Sequence, residues 1–200
     1  MLADLDLAPE VRVCAEGDWY VFLDLERDRY WAISRMQDKE RIESELRRQG
    51  LASKGRPKRA TAYLWFSAII ARLPDWLIFV EAAFWARRIE RSGDLACAFA
   101  WISKQKTAML KKRALPQSAA AFAAALERAD ALRLWIPHRY ICLFDALCHC
   151  RFLLQRGFDI DLVFGVRGRP FAAHCWIEAQ GQVIDAGQED CASFAIIARA

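Results

Sequence analysis

The sequence predicts an α+β protein: a small N-terminal antiparallel sheet of three strands with one helix, then a helix-rich body ending in a second antiparallel sheet. Two changes of hydrophobic period carry that prediction. Short alternating aromatic runs give way to helical spacing after about residue 60, and alternation returns after about residue 160. Gly and Pro punctuate the last runs, and helices followed by an antiparallel sheet make the α+β class.

Val11 to Ala15 and Trp19 to Leu25 are apolar-aromatic strands, and Glu26-Arg27-Asp28-Arg29 is a polar turn into Tyr30-Trp31-Ala32-Ile33, giving a three-stranded meander. From Met36 to Gln49 the charges are dense, Ile42 and Leu46 share one helix face, and Gly50 stands where a C-cap glycine would. Ser53-Lys-Gly-Arg-Pro-Lys-Arg59 has linker composition, so a boundary divides residues 1–56 from residues 57–200. Fifty-odd residues are marginal alone, and the first unit is expected to lean on the second. Helical patterns follow at 60–72, 75–92 and 94–103, then from Ser118, a suitable N-cap, to Leu132. Pro137 approaches a further helix, whose apolar stripe runs through Leu143, Leu147 and Leu154. Asp161 to Val166, Ala172 to Glu178 and Gln182 to Asp185 read as strands.

Composition removes several function classes. A net charge of +4 from 29 basic and 25 acidic residues, with scattered basic clusters, does not argue for nucleic acid. MLADLDLAPE has no basic start and no apolar core, so a cytoplasmic location is expected. The apolar stretch Tyr63 to Ala86 is broken by Arg72, Pro74, Asp75 and Glu81, and each charge at bilayer depth costs roughly 2.5 to 3.5 kcal/mol. Two core helices meeting at Pro74 are expected there, and membrane association is not, although Trp65, Trp76 and Trp85 would suit an interface. Seven irregularly spaced cysteines in a chain with this much apolar mass do not make a disulfide framework. Cys148, His149, Cys150, His174 and Cys175 lack zinc-ligand spacing, no metal is expected, and no Walker-type glycine loop is present.

The chemistry begins at Cys142, in the first turn of its helix, where unpaired N–H groups and the positive dipole end favour a thiolate. His149 is seven residues further on, about 10 Å along the axis at 1.5 Å per residue, and is a poor base for it. His174, in the strand Phe171-Ala-Ala-His-Cys-Trp-Ile-Glu178, is the better base. If Gln180-Gly181 is a two-residue turn, Trp176 opposes Asp185, and Asp185 lies diagonal to His174, where a carboxylate can hold the imidazole tautomer. Cys142, His174 and Asp185 are thus the candidate catalytic residues, arranged as nucleophile, base and orienting acid.

In order, Cys142-Leu143, Ala146-Leu147, Gly157, Leu162 to Arg167, Arg169-Pro170-Phe171, His174 to Glu178 and Gly181 to Asp185 resemble the lasso peptide biosynthesis B proteins, leader peptidases with a transglutaminase-like, papain-like fold. The resemblance is close over the last third of the chain and rests on layout elsewhere. It implies a cysteine peptidase that cuts the leader from a ribosomally made precursor peptide, with Cys142 as nucleophile and His174 as base. That family often carries Asn-Asp after its last matched strand, whereas here Asp185 stands in the Asn place and Ala186 follows. Residues 1–56 resemble the small PqqD-like leader-recognition domain, in which a peptide adds a strand to a sheet edge; Tyr30 and Trp31 are its candidate substrate-binding residues. The resemblance further implies an asparagine-synthetase-like cyclase as partner, with ATP entering through that partner; the chain shows no cofactor motif of its own. A transglutaminase-type acyltransferase and a noncatalytic leader-binding adaptor are the alternatives. Precursor identity, cleavage position and oxyanion donors are not legible in the sequence.

Overall fold

A computed structural model describes residues 5–52, 74–111, 118–139, 141–185 and 190–200. The N-terminal meander comprises β1 (Val11–Glu16), β2 (Trp19–Asp24) and β3 (Arg29–Ser34), antiparallel in the order β1-β2-β3. Helix α1 (Lys39–Arg48) follows, its N-terminus capped by the Asp38 carboxylate, which accepts from the Arg41 N–H at 2.8 Å. Gly50, at φ 69°, takes the left-handed position that ends the helix, and Leu51 N–H returns to the Leu46 carbonyl.

The body consists of α2 (Asp75–Ser92), α3 (Leu95–Lys111), α4 (Ala119–Arg133) and α5 (Cys142–Gln155). Its sheet is formed by β4 (Asp161–Arg167), β5 (Ala172–Ala179), β6 (Gln182–Asp185) and β7 (Ala195–Arg199), antiparallel in the order β6-β5-β4-β7. Pro74 supplies the fixed φ before α2, and Ser118 caps α4 by accepting from the Ala121 N–H at 3.2 Å. The expected helix at 60–72 and the boundary at 56/57 lie outside the described residues.

Two elements differ from expectation. Helix α3 runs to Lys111 rather than 103, because its polar C-terminal half forms an outer face from which Lys106 reaches the Asp161 carboxylate. Strand β7 was not anticipated: five residues with Ile196 half-exposed give too little alternation to announce a strand, and pairing with β4 fixes it.

The core is continuous between the first unit and the body. Val21, Leu23 and Leu25 of the meander pack with α2, α3, α5 and the large sheet. The opposite face of β2, Tyr20 and Phe22, packs with Ile42, Leu46 and Leu51 in a second core. The alternation of β2 is thus buried on both faces, as only a central strand can be. Among the described residues, no helix is long and apolar enough to cross a membrane.

Candidate active site

The segment leading into α5 is held by one side chain. Arg133, 4 % exposed at the end of α4, donates to the carbonyls of Ile136 (3.1 Å), His138 (3.3 Å) and Arg139 (3.1 Å) and pairs with the Asp145 carboxylate in the first turn of α5. Its guanidinium also lies over the Phe144 ring at 5.1 Å. A planar fork of five donors suits this task, which a lysine could not perform. The result is a fixed approach to Ile141, whose extended backbone starts the helix without a side-chain cap, so that Cys142 opens the first turn.

Cys142 is half-buried, and its sulfur meets β5. The Cys175 thiol above all, then the Cys175 backbone N–H and the His174 imidazole, donate to it, and the charge of His174 acts in the same sense. Together they outweigh burial, which pushes a thiol up, and bring Cys142 from an ordinary 9.0 down to about 5. Cys175 moves the opposite way: burial, and then its bond to Cys142, hold it well above 9.0 as a neutral donor.

His174 is nearly enclosed, stacked at 5.8 Å on Trp176 and tilted against Phe194 at 5.5 Å. Trp176 is fixed in turn, donating from Nε1 to Glu178 Oε1 at 2.8 Å, while Arg199 holds Glu178 Oε2 at 2.6 Å. Opposite His174 in the ladder stands Gly165, where a Cβ would fall 2.7 Å from the Trp176 ring and 2.8 Å from Phe194 Cβ. The missing side chain is the space into which the ring beside His174 fits.

A thiol at a helix start beside a histidine on an adjoining strand is an arrangement that can carry out acyl transfer. The model of the transglutaminase-like superfamily matches residues 77–199. The chain belongs to that superfamily. A stretch of 44 residues is also 46 % identical to the microcin J25-processing protein McjB of Escherichia coli, covering 22 % of this chain and 21 % of that protein. No solved structure matches.

Within this transglutaminase-like core the three expected catalytic positions fare differently. Cys142 and His174 are brought together. Gln180 and Gly181 form the expected two-residue turn, both at positive φ (52° and 77°), but the ladder then bulges, and Asp185 pairs with Ile177 rather than Trp176. The expected register is therefore corrected by one residue. The Asp185 side chain lies outside the described residues, and His174 Nε2 is buried without a hydrogen-bond partner among the described residues.

Of the two expected substrate-binding residues, Tyr30 comes near Cys142 and Cys175. It packs edge-on to Phe171 at 5.9 Å, and burial first, then the charges of Asp28, Cys175 and Cys142, keep its phenol protonated. Trp31 turns to the second core and donates from Nε1 to Gln49 Oε1 at 2.9 Å. Asp28, at φ 47° in the turn before β3, also lies within reach of the Cys142 charge, which together with the larger effect of burial raises its carboxyl.

The other histidines serve the scaffold. His149 contacts the Asp145 carbonyl and the Asp130 carboxylate, each at 2.9 Å, while His138 stacks on Phe144 and meets Glu90 at 3.0 Å. Burial pushes Cys150 up to about 12 and raises Cys148 too. Among the described residues, no group of three His, Cys, Asp or Glu is placed to hold a metal. Sequence reading missed Cys175, Arg133 and Asp28 as parts of the site. Only Cys175 carried a signal, as the neighbour of His174 in the matched motif.

Proposed function

We propose that this protein is a cysteine peptidase that removes the leader from a ribosomally synthesised lasso peptide precursor. The observation that carries this reading is the Cys142 sulfur, at the positive end of α5, accepting hydrogen bonds from His174 and from both donors of Cys175. A thiolate so held attacks the scissile carbonyl, His174 protonates the leaving amine, and water activated by His174 then hydrolyses the thioester. Asp185 is the proposed orienting acid for His174, whose buried Nε2 requires a partner. N–H groups at the start of α5 are the proposed oxyanion donors.

The substrate class rests on the match to a protein named for processing microcin J25 and on the N-terminal meander. Residues 1–56 are read as the leader-recognition unit, with β3, the last strand in the order β1-β2-β3, offering its edge to an extended peptide and Tyr30 standing where that strand begins, near Cys142. The freed core amine then passes to an asparagine-synthetase-like cyclase, which consumes ATP.

The test is mass spectrometry of a cognate precursor incubated with wild type or Cys142→Ala, with the partner cyclase and ATP in both. Leader release by wild type alone is the expected outcome. An isopeptide product that retains the leader would replace hydrolysis with transfer to an amine. A leader bound but uncut by either protein would reduce the chain to an adaptor.

A further inference from the structure

His174, Trp176 and Glu178 alternate along β5 and so share one face of the sheet, while Cys175 and Ile177 turn to the core on the other. Ring packing holds His174 on that face, against Trp176 at 5.8 Å with 23° between the planes and against Phe194 at 5.5 Å. Its buried Nε2 has no hydrogen-bond partner among the described residues, which leaves much of the ring's orientation to its aromatic neighbours.

Glu178 is a surprising end to this column. The residue is only 5 % exposed, and it stands directly opposite Asp161 of β4, a like-charged pair across two strands that a neutral residue would avoid. Both of its oxygens are nevertheless engaged. Oε1 accepts from Trp176 Nε1 at 2.8 Å, and Oε2 meets Arg199 Nη1 at 2.6 Å. The same Arg199 nitrogen lies 3.0 Å from Asp161 Oδ2, and Lys106 of α3 pairs with the other Asp161 oxygen. The column His174-Trp176-Glu178 is therefore anchored by a clamp of charges drawn from β4, β7 and α3.

We propose that Glu178 is a positioning residue for the reaction, holding the Trp176 ring so that the ring holds the His174 imidazole. Four residues of strand, about 13 Å, separate Glu178 from His174, so no hydrogen bond joins them and the influence passes through the ring. This inference rests on the reading of His174 as the base.

The test compares leader cleavage by the wild type, Glu178→Gln, Trp176→Phe and the double variant, with urea midpoints measured for each. A glutamine that accepts from Trp176 must turn its N–H groups toward the Arg199 donors, and a phenylalanine keeps a stacked ring without the N–H. Each single variant is expected to lower kcat by about ten- to a hundredfold with KM little changed. The double variant is expected to lose no more than the worse single one, because both changes act on one hydrogen bond. Proton NMR adds a readout that needs no substrate. The His174 C2–H resonance, one of three from histidines and identified by its loss in His174→Gln, is expected to shift in Glu178→Gln as the Trp176 ring current moves. An unshifted resonance, an unchanged kcat in an enzyme that cuts, or single losses that multiply in the double variant would overturn the inference. Should Glu178→Gln not fold, the kcat of Trp176→Phe decides. Should the wild type cut no leader, the peptidase reading fails and the resonance alone decides whether Glu178 positions the histidine.

Discussion

The behaviour of Cys142 turns on three donors to one sulfur, and their removal has a predictable sign. The reactive form is the deprotonated one, and its group is lowered, so iodoacetamide alkylation of Cys142 is expected to rise through about pH 5 rather than near 9.0 and to stay high above. Cys175→Ala removes the largest stabilising contact while leaving the backbone donor. A hydrogen bond to a charged group is worth about 1.5 to 3 kcal/mol, which moves that midpoint up by about one to two pH units. Alkylation rates measured across pH for the two proteins check both statements, and an unchanged midpoint in the variant would remove Cys175 from the account. The downward direction for Cys142 was legible in the sequence from its place in the first turn of a helix, and His174 was legible as its neighbour, but the larger part played by Cys175 was not.

Two contacts between elements set where Cys142 and His174 stand. Arg133 ties the end of α4 to the chain before Cys142 and to Asp145 of α5, so Arg133→Ala leaves three carbonyls and a carboxylate without their donor. Breaking a buried pair of this kind costs about 3 to 5 kcal/mol, to be read from urea unfolding, and Arg133→Lys is expected to recover little of it. Gly165 governs the sheet side. Gly165→Ala puts a methyl into the Trp176 ring and Phe194, an overpacking that costs about 1 to 3 kcal/mol and displaces the ring stacked on His174. The variant should show a lower unfolding midpoint together with slower leader cleavage; a fall in stability alone would mean that Trp176 does not position the histidine.

Across the molecule, the meander and the body are joined by more than a linker. Val21, Leu23 and Leu25 lie in the body's core, the Leu25 carbonyl accepts from the Ala96 N–H at 2.8 Å, and Glu16 accepts from the Gly168 N–H at 3.3 Å. Gly93, at φ 64°, leaves room for the turn before β3: a Cβ there would lie 3.2 Å from the Arg27 carbonyl oxygen. That packing carries Asp28 and Tyr30 toward Cys142. Unfolding followed by tryptophan fluorescence and by far-ultraviolet circular dichroism is therefore expected to give one coincident transition. A chain beginning at residue 57 would expose the apolar surface that those three side chains cover, at about 25 cal/mol per Å², and should melt well below the full chain. Two separated transitions would show that the meander is an independent unit.

Legible in the sequence were the α+β class, the meander, the end of α1 at Gly50, the starts of α2 and α4 at Pro74 and Ser118, and the position of Cys142 at the head of α5. Each of these rests on signals read within a few residues: caps, fixed φ angles and hydrophobic period. Long-range packing alone sets the influence of Cys175 on Cys142, the approach of Tyr30 and Asp28 to them, the bulge that turns Asp185 one place along β5, and the pairing of β7 that completes the sheet. Those facts join residues up to more than a hundred positions apart, as Asp28 is from Cys142. No local preference encodes such a pairing, which follows from how the shared core packs its helices, its sheets and the N-terminal meander against one another.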